Sequence, residues 1–64
     1  MQMILEPSLD TWRTAARISL SEGISIYDAI YIAMASSLDA TFITADKRLV
    51  RRVGEEVRRY IRLL

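Results

Sequence analysis

The chain has 64 residues, enough for one small domain or part of one, and nine Lys or Arg against eight Asp or Glu give a net charge of +1. The absence of cysteine and histidine excludes disulfides, thiolate metal sites, imidazole bases and Ser–His–Asp catalysis. A metal ion would therefore have to be held by oxygen atoms, the ligands that suit Mg²⁺ and Mn²⁺.

The charge is divided unevenly along the chain. Residues 1–46 carry two basic and six acidic side chains, a balance of −4, whereas residues 47–64 carry seven basic and two acidic ones, a balance of +5. A basic segment beside carboxylates favours a phosphate-bearing partner, although a solvated helix face with Glu–Arg pairs explains the same pattern.

The sequence also predicts where the protein resides. No apolar run reaches the ~20 residues of a membrane span, and the apolar start has no basic leader, so we expect a cytoplasmic protein with no membrane partner. The chain has no asparagine, one glutamine, and eight arginines against one lysine. Few amides and many charges are typical of proteins from hot environments, so a thermophilic source is expected.

The first predicted helix runs from Leu9 to Glu22. Ser8 is a good N-cap and Gly23 a good C-terminal stop. Before it, Met3–Leu5 predicts a strand or an extended arm that Pro7 stops. The apolar residues that fall near one face of this helix, with Trp12 expected in the core or an interface, are Leu9, Trp12, Ala16 and Leu20.

The second predicted helix begins after Ser25 and runs to about Leu38. Because it is apolar almost all the way round, we expect other elements to cover it on every side. Ser25 and Asp28 fit a capping box at its start. This chain is too short to cover such a helix, so it should be a protomer of a homo-oligomer or a fragment of a larger domain.

A short strand and a third helix follow. Thr41–Thr44 is β-prone, and the consecutive apolar residues Phe42 and Ile43 predict a parallel strand covered on both faces. Asp46 can N-cap a helix from Lys47 to about Val53.

The chain after Gly54 has two interpretations. The helical period of the apolar residues continues, which predicts one long amphipathic helix. A break near Gly54–Glu56 instead predicts a last strand at about Tyr60–Leu63, the alternative that we favour. The residues that continue the helical period are Leu49, Val53, Val57, Tyr60, Ile61 and Leu64.

Two carboxylates, Asp28 and Asp46, stand at helix starts that a short strand would bring together. Each has a structural explanation as a capping residue. However, an unpaired buried carboxylate is costly, and one divalent cation would compensate both acids. Such a cation can activate water and stabilise charge on a phosphate, and Thr44 could add a hydroxyl. Two acids are fewer than the three or four oxygen ligands that such sites usually recruit.

The stretch IYDAIYIAMASSLDATFITADKRL resembles the C-terminal part of PIN-domain proteins, and among them the VapC-type toxins of prokaryotic toxin–antitoxin pairs. The resemblance runs from the helix before Gly23 to Leu49 and makes Tyr60–Leu64 the family's final strand, which is why we favour a strand there. It implies that residues 1–64 form a single partial PIN-like domain. The implied fold is α/β, a truncated Rossmann-like three-layer unit of three helices and a short, mostly parallel sheet.

The resemblance implies an endoribonuclease dependent on Mg²⁺ or Mn²⁺, with the family's two later acids at Asp28 and Asp46. These would be its catalytic and metal-binding residues, with Thr44 as the nearby hydroxyl. The family's first strand with its opening aspartate, and its mid-domain glutamate, have no counterpart here. We therefore expect weak metal binding and a chain that is weakly active or inactive alone. The alternative is a non-catalytic interaction module or a homo-oligomerising remnant.

The sequence predicts three kinds of partner, the first from the uncovered apolar helix and the other two from the resemblance. These are a second copy of the chain, RNA, and an antitoxin-like protein whose helix would occupy an exposed groove. The basic residues that would contact RNA phosphates are Lys47, Arg48, Arg51 and Arg52.

Overall fold

A computed structural model describes residues 7–64, so the predicted arm Met3–Leu5 lies outside the described residues. The α/β class with a short parallel sheet is confirmed, but the described part has four helices rather than the expected three, because residues after Gly54 form one extra turn. The elements are α1 (Leu9–Glu22), α2 (Ile26–Ser37), β1 (Phe42–Thr44), α3 (Lys47–Arg52), α4 (Glu55–Arg58) and β2 (Ile61–Leu63).

Capping residues fix the ends of the longer helices as the sequence predicts. The Oγ of Ser8 accepts a hydrogen bond from the Thr11 amide at 3.1 Å. Gly23 ends α1 in the left-handed conformation, with φ of 67°, and its amide donates to the Ser19 carbonyl. The Oγ of Ser25 accepts from the Asp28 amide at 3.1 Å and starts α2. The two serines satisfy amides that a first helical turn leaves without partners, and the Gly23 amide satisfies a carbonyl of the last turn of α1.

The core consists of two clusters that share helix α2. In the first, alanines at the α1–α2 contact let the two helices approach closely; its buried members are Ala15, Ala29, Ile30 and Ala33. The second joins α2 to α3 and β2 through Ile32, Leu49, Val53 and Ile61. Ile18 and Ile24 pack against both clusters and so connect them.

The face of α1 that packs is not the predicted one. Ala15 is completely buried, whereas Leu9, Trp12 and Leu20 are 70%, 45% and 87% exposed. A small side chain at the contact allows close packing against the alanines of α2, which a tryptophan or a leucine there would prevent. Trp12 is therefore not a core residue of the described protomer, and its place in an interface stays a prediction.

The sheet has one covered face within the described residues. The two strands run parallel, with Phe42 opposite Ile61 and Ile43 opposite Arg62. Phe42 and Ile61 face the second core cluster, whereas Ile43 is 56% exposed and Arg62 is exposed. The expectation that both faces of β1 are covered is thus wrong for residues 7–64. Alternate side chains point to opposite faces of a strand, and here the helices pack on one of them.

The chain after α3 turns back to form β2, which confirms the favoured strand and excludes one long helix. Arg58 holds this turn, because its Nε donates to the Val50 carbonyl at 3.1 Å and its Nη2 donates to the Val53 carbonyl at 2.7 Å. The Gly54 amide donates to Oε1 of Glu22 at 3.1 Å, which ties the turn to the end of α1. No helix in residues 7–64 has the length and apolarity to cross a membrane.

The burial of Ile32 should be measurable with a conservative substitution. Ile32→Val removes one methylene from a side chain that is 1% exposed, and we expect a loss of about 0.5–1.5 kcal/mol in the free energy of unfolding. Ile43→Val removes the same group from a 56% exposed position and should change stability by less than about 0.5 kcal/mol. Urea unfolding followed by circular dichroism compares the two, and equal losses would contradict the described core.

Candidate functional site

Asp28 and Asp46 lie in the same pocket, as the sequence predicts. The pocket has a volume of about 180 Å³ and opens where the start of α2 meets the start of α3. Asp28 is half-buried and Asp46 is exposed. The residues that line the pocket are Gly23, Ile24, Ser25, Asp28, Asp46, Arg48, Leu49 and Arg52.

The second core cluster explains why the two acids meet. Ile32 follows Asp28 by one helical turn on α2, and Leu49 follows Asp46 by nearly one turn on α3. Ile32 and Leu49 belong to the same buried cluster. The contact that buries them therefore brings together the two helix starts that carry the acids.

Asp46 serves as the N-cap of α3 through one of its two carboxylate oxygens. Its Oδ1 accepts from the amides of Arg48 at 2.9 Å and Leu49 at 3.3 Å. The Asp46 amide donates in turn to Oγ1 of Thr44 at 3.1 Å. Thr44 does not line the pocket. Its hydroxyl supports, from outside the pocket, the turn that carries Asp46. The second carboxylate oxygen, Oδ2, is left for a ligand.

Asp28 contributes its backbone, and not its side chain, to the capping of α2. Its amide donates to Ser25 Oγ, but the return bond from the Ser25 amide to the Asp28 carboxylate is not formed. The hydrogen bonds of residues 7–64 include none to this carboxylate. The predicted capping box is therefore half formed, and both oxygens of Asp28 remain available in the pocket.

The four basic residues predicted to contact phosphates fall into two pairs. Arg48 and Arg52 line the pocket with the acids, whereas Lys47 and Arg51 do not. Residues four apart share a face of a helix, which accounts for the pairing. The sequence placed all four on one helix, and the signal that separates the two pairs is the helical phase of the apolar residues Leu49 and Val53.

Gly23 forms part of the pocket wall, a role that sequence reasoning missed. A Cβ at this position would lie 3.4 Å from Nε of Arg52 and 3.5 Å from its Nη2. A Cβ would therefore make ordinary van der Waals contact with the Arg52 guanidinium, which lies beside the end of α1. The sequence indicated only that Gly23 ends the helix, because nothing local shows that an arginine 29 residues away lies over it.

The donor set fits a divalent cation in kind and only partly in number. Carboxylate oxygens are the hard ligands that Mg²⁺ and Mn²⁺ prefer. Within residues 7–64, no three or more acidic residues come close enough together to hold a metal. Mg²⁺ usually binds through one or two carboxylates and completes its shell with waters and substrate phosphates. Asp28 and Asp46 suit that mode and do not form an all-protein cage.

The described residues form a small α/β unit in which two carboxylates and two arginines line one pocket. The sequence model of the PIN domain family matches residues 3–56, a span that contains every residue of this pocket. The chain belongs to the PIN domain family. No curated protein and no solved structure matches it. PIN domains are nuclease-type domains that generally use divalent metals.

The capping role of Asp46 can be separated from its charge. Asp46→Asn keeps an oxygen that accepts the two amides, so we expect stability within about 0.5 kcal/mol of the wild type, or a slight gain in the absence of metal. Asp46→Ala removes the cap and should cost about 1 kcal/mol. Thermal or urea unfolding in metal-free buffer measures both. If Asp46→Asn costs several kcal/mol, the role of Asp46 is structural and its place in a metal site loses support.

Proposed function

We propose that this chain is part of a metal-dependent endoribonuclease of the VapC type and is weakly active or inactive alone, with Asp28 and Asp46 as the metal-binding, catalytic carboxylates. The single observation that carries the proposal is that these two acids meet in one pocket of a PIN-family chain. Their available oxygens support it further, since Asp28 keeps both and Asp46 keeps Oδ2.

In this proposal the chain's own residues bind the cation and orient the carboxylates that hold it. Asp28 and Asp46 would hold Mg²⁺ or Mn²⁺ on the pocket wall, and Thr44 supports the turn that carries Asp46. When bound, the cation would activate water and stabilise charge developing on a phosphate. The antitoxin of such a toxin is the protein partner that this proposal implies.

We further propose that these residues correspond to the C-terminal half of a PIN domain. The pocket provides two protein carboxylates toward the six ligands of an octahedral cation, so metal binding alone should be weak. Rate depends on how firmly the cation and the phosphate are positioned. Cleavage by the 64-residue chain alone should therefore be absent or very slow.

Metal binding can be measured directly. Mn²⁺ titrated into the protein in a calorimeter should give weak, saturable binding that the double variant Asp28→Asn, Asp46→Asn abolishes. The matched control is Asp10→Asn, Asp39→Asn, which removes the same charge from exposed positions outside the pocket and should bind Mn²⁺ like the wild type. Equal binding by both double variants would contradict the assignment of the metal site.

The same proteins test the activity on RNA. Any cleavage by nuclease-free preparations should be slow, should need Mg²⁺ or Mn²⁺, and should disappear in Asp28→Asn. Fast cleavage that Asp28→Asn abolishes would keep the nuclease function and refute the expected weakness. Cleavage that survives Asp28→Asn would contradict the catalytic role of this residue.

A second function, self-association, is favoured by an open edge of the sheet. The Phe42 amide donates to the Tyr60 carbonyl and the Leu64 amide to the Thr44 carbonyl, both at 2.8 Å, so β1 bonds to β2 at residues 42 and 44. By alternation, the Ile43 amide and carbonyl point to the opposite edge, where no strand lies within residues 7–64. An unpaired edge is a template for another strand.

We propose that a second copy of the chain occupies this edge. An antiparallel pair centred on Ile43 is self-complementary, because each Ile43 presents one donor and one acceptor to its counterpart. The exposed apolar side chains of β1 and α2 would add buried area, since Tyr27, Tyr31 and Ile43 are 74%, 55% and 56% exposed. The two pockets that contain Asp28 and Asp46 would then lie at opposite ends of the paired strands and would not merge.

Sedimentation should show a dimer that a charge at this edge dissociates. Ile43→Lys should shift the protein toward monomer, because a lysine on an edge strand opposes pairing. Leu20→Lys places the same charge at an 87% exposed position on α1 and should leave the dimer intact. A folded wild-type monomer at high concentration would refute self-association and leave the edge to a different partner, such as an antitoxin.

A further inference from the structure

The pocket brings opposite charges together without joining them. Asp28, Asp46, Arg48 and Arg52 all line it, yet the hydrogen bonds of residues 7–64 connect neither guanidinium to either carboxylate. By comparison, the guanidinium of Arg58 is committed to two backbone carbonyls. The two pocket arginines therefore differ from the structural arginine of α4, because their donors are available to a ligand.

The charges of the pocket balance when it is empty of ligand. Two carboxylates and two guanidinium groups sum to zero, so neither a cation nor an anion gains much by binding alone. A cation that binds alone is repelled by the arginines, and a phosphate that binds alone is repelled by the carboxylates. If both bind, the cation adjoins the carboxylates and the phosphate adjoins the arginines, and each favours the other.

The ligand count leads to the same conclusion. Two carboxylates leave most of an octahedral shell to water and phosphate oxygens. A phosphate held by Arg48 and Arg52 would lie in the same pocket of about 180 Å³ and could supply one of those oxygens. Arginine suits this task, because its planar fork of donors matches the oxygens of a phosphate.

We propose that Arg48 and Arg52, and not Lys47 and Arg51, hold a phosphate of the RNA strand, and that this phosphate and the metal bind the pocket cooperatively. The inference rests on the proposed metal role of Asp28 and Asp46. It deepens that role by assigning the anion side of the site to two particular arginines. Cooperativity is reciprocal, so the metal tightens RNA binding by the same factor by which RNA tightens metal binding.

Gly23 supports the placement of one arginine. The Arg52 guanidinium lies beside the position that a Cβ of residue 23 would occupy, with three of its atoms 3.4 to 3.8 Å away. It therefore rests against the backbone at the end of α1, at the rim of the pocket that holds the acids. Arg52 is also exposed, so a phosphate can reach its guanidinium from solvent.

The test uses a ligand that cannot be cut and variants matched in charge. The probe is a fluorescent oligouridylate with 2′-O-methyl groups, whose binding is followed by anisotropy with and without Mn²⁺ at constant ionic strength. The pocket variant is Arg48→Gln, Arg52→Gln. The control is Lys47→Gln, Arg51→Gln, which removes the same charge from the same helix outside the pocket. Circular dichroism checks that both variants fold.

Mn²⁺ should tighten probe binding by the wild type about tenfold, within the usual range of coupling between two sites. The pocket variant should lose this metal-dependent gain. The control variant should keep it, although its binding should be weaker by a similar factor with and without Mn²⁺, as expected of distant phosphate contacts. Calorimetry should show the reciprocal effect, with Mn²⁺ bound more tightly in the presence of the probe.

Two results would overturn the inference in different ways. If Asp28→Asn, Asp46→Asn abolishes Mn²⁺ binding but both arginine variants keep the metal-dependent gain, the metal site stands and the arginine assignment fails. If Mn²⁺ does not bind the wild type with or without the probe, the proposed function fails and the inference fails with it. Equal loss of the gain in both arginine variants would indicate a diffuse basic surface and would also refute the assignment.

Discussion

The burial of Ile32 against Leu49, Val53 and Ile61 is the constraint on which the rest of the structure depends. It is the contact that joins α2 to α3 and to the sheet, and the two acids lie one turn or less before the residues that make it. Because protein interiors are close-packed, this contact leaves little freedom in the spacing of the two helix starts. The geometry of the pocket is thus a consequence of core packing.

The same contact determines which basic residues face the pocket. Leu49 and Val53 are four residues apart and buried, and Arg48 and Arg52 directly precede them. Each step along a helix turns by about 100°, so residues beside a buried stripe lie at its rim. Arg48 and Arg52 reach the rim on the side of the acids, whereas Lys47 and Arg51 are turned further away. The helical phase set by the two buried apolar side chains therefore separates Arg48 and Arg52 from Lys47 and Arg51, although the two pairs carry the same charge.

Features that depend on neighbouring residues could be predicted from the sequence, and features that depend on distant contacts could not. Ser8, Gly23, Ser25 and Asp46 mark helix ends through bonds to residues two to four positions away, and the structure confirms all four. The prediction of the buried face of α1 was wrong, because Ala15 is buried by its packing against the alanines of α2, which the apolar period of α1 does not show. The exposure of Ile43 was missed for the same reason, since a strand's composition does not show how many of its faces are covered.

In the candidate site, too, features set by neighbouring residues were predictable and features set by distant contacts were not. That Asp28 and Asp46 converge was predictable from two helix starts joined by a short strand, but whether each acid caps a helix or binds a ligand was left as a choice. For Asp46 the choice is unnecessary, because a carboxylate has two oxygens and the cap uses one of them. The cap even helps, since two backbone amides hold Oδ1 and thereby restrict where Oδ2 can point. For Asp28 the cap uses the amide alone, so the side chain keeps both oxygens. An acid at a helix start can thus satisfy its own backbone and still serve a site, provided that the two tasks use different atoms.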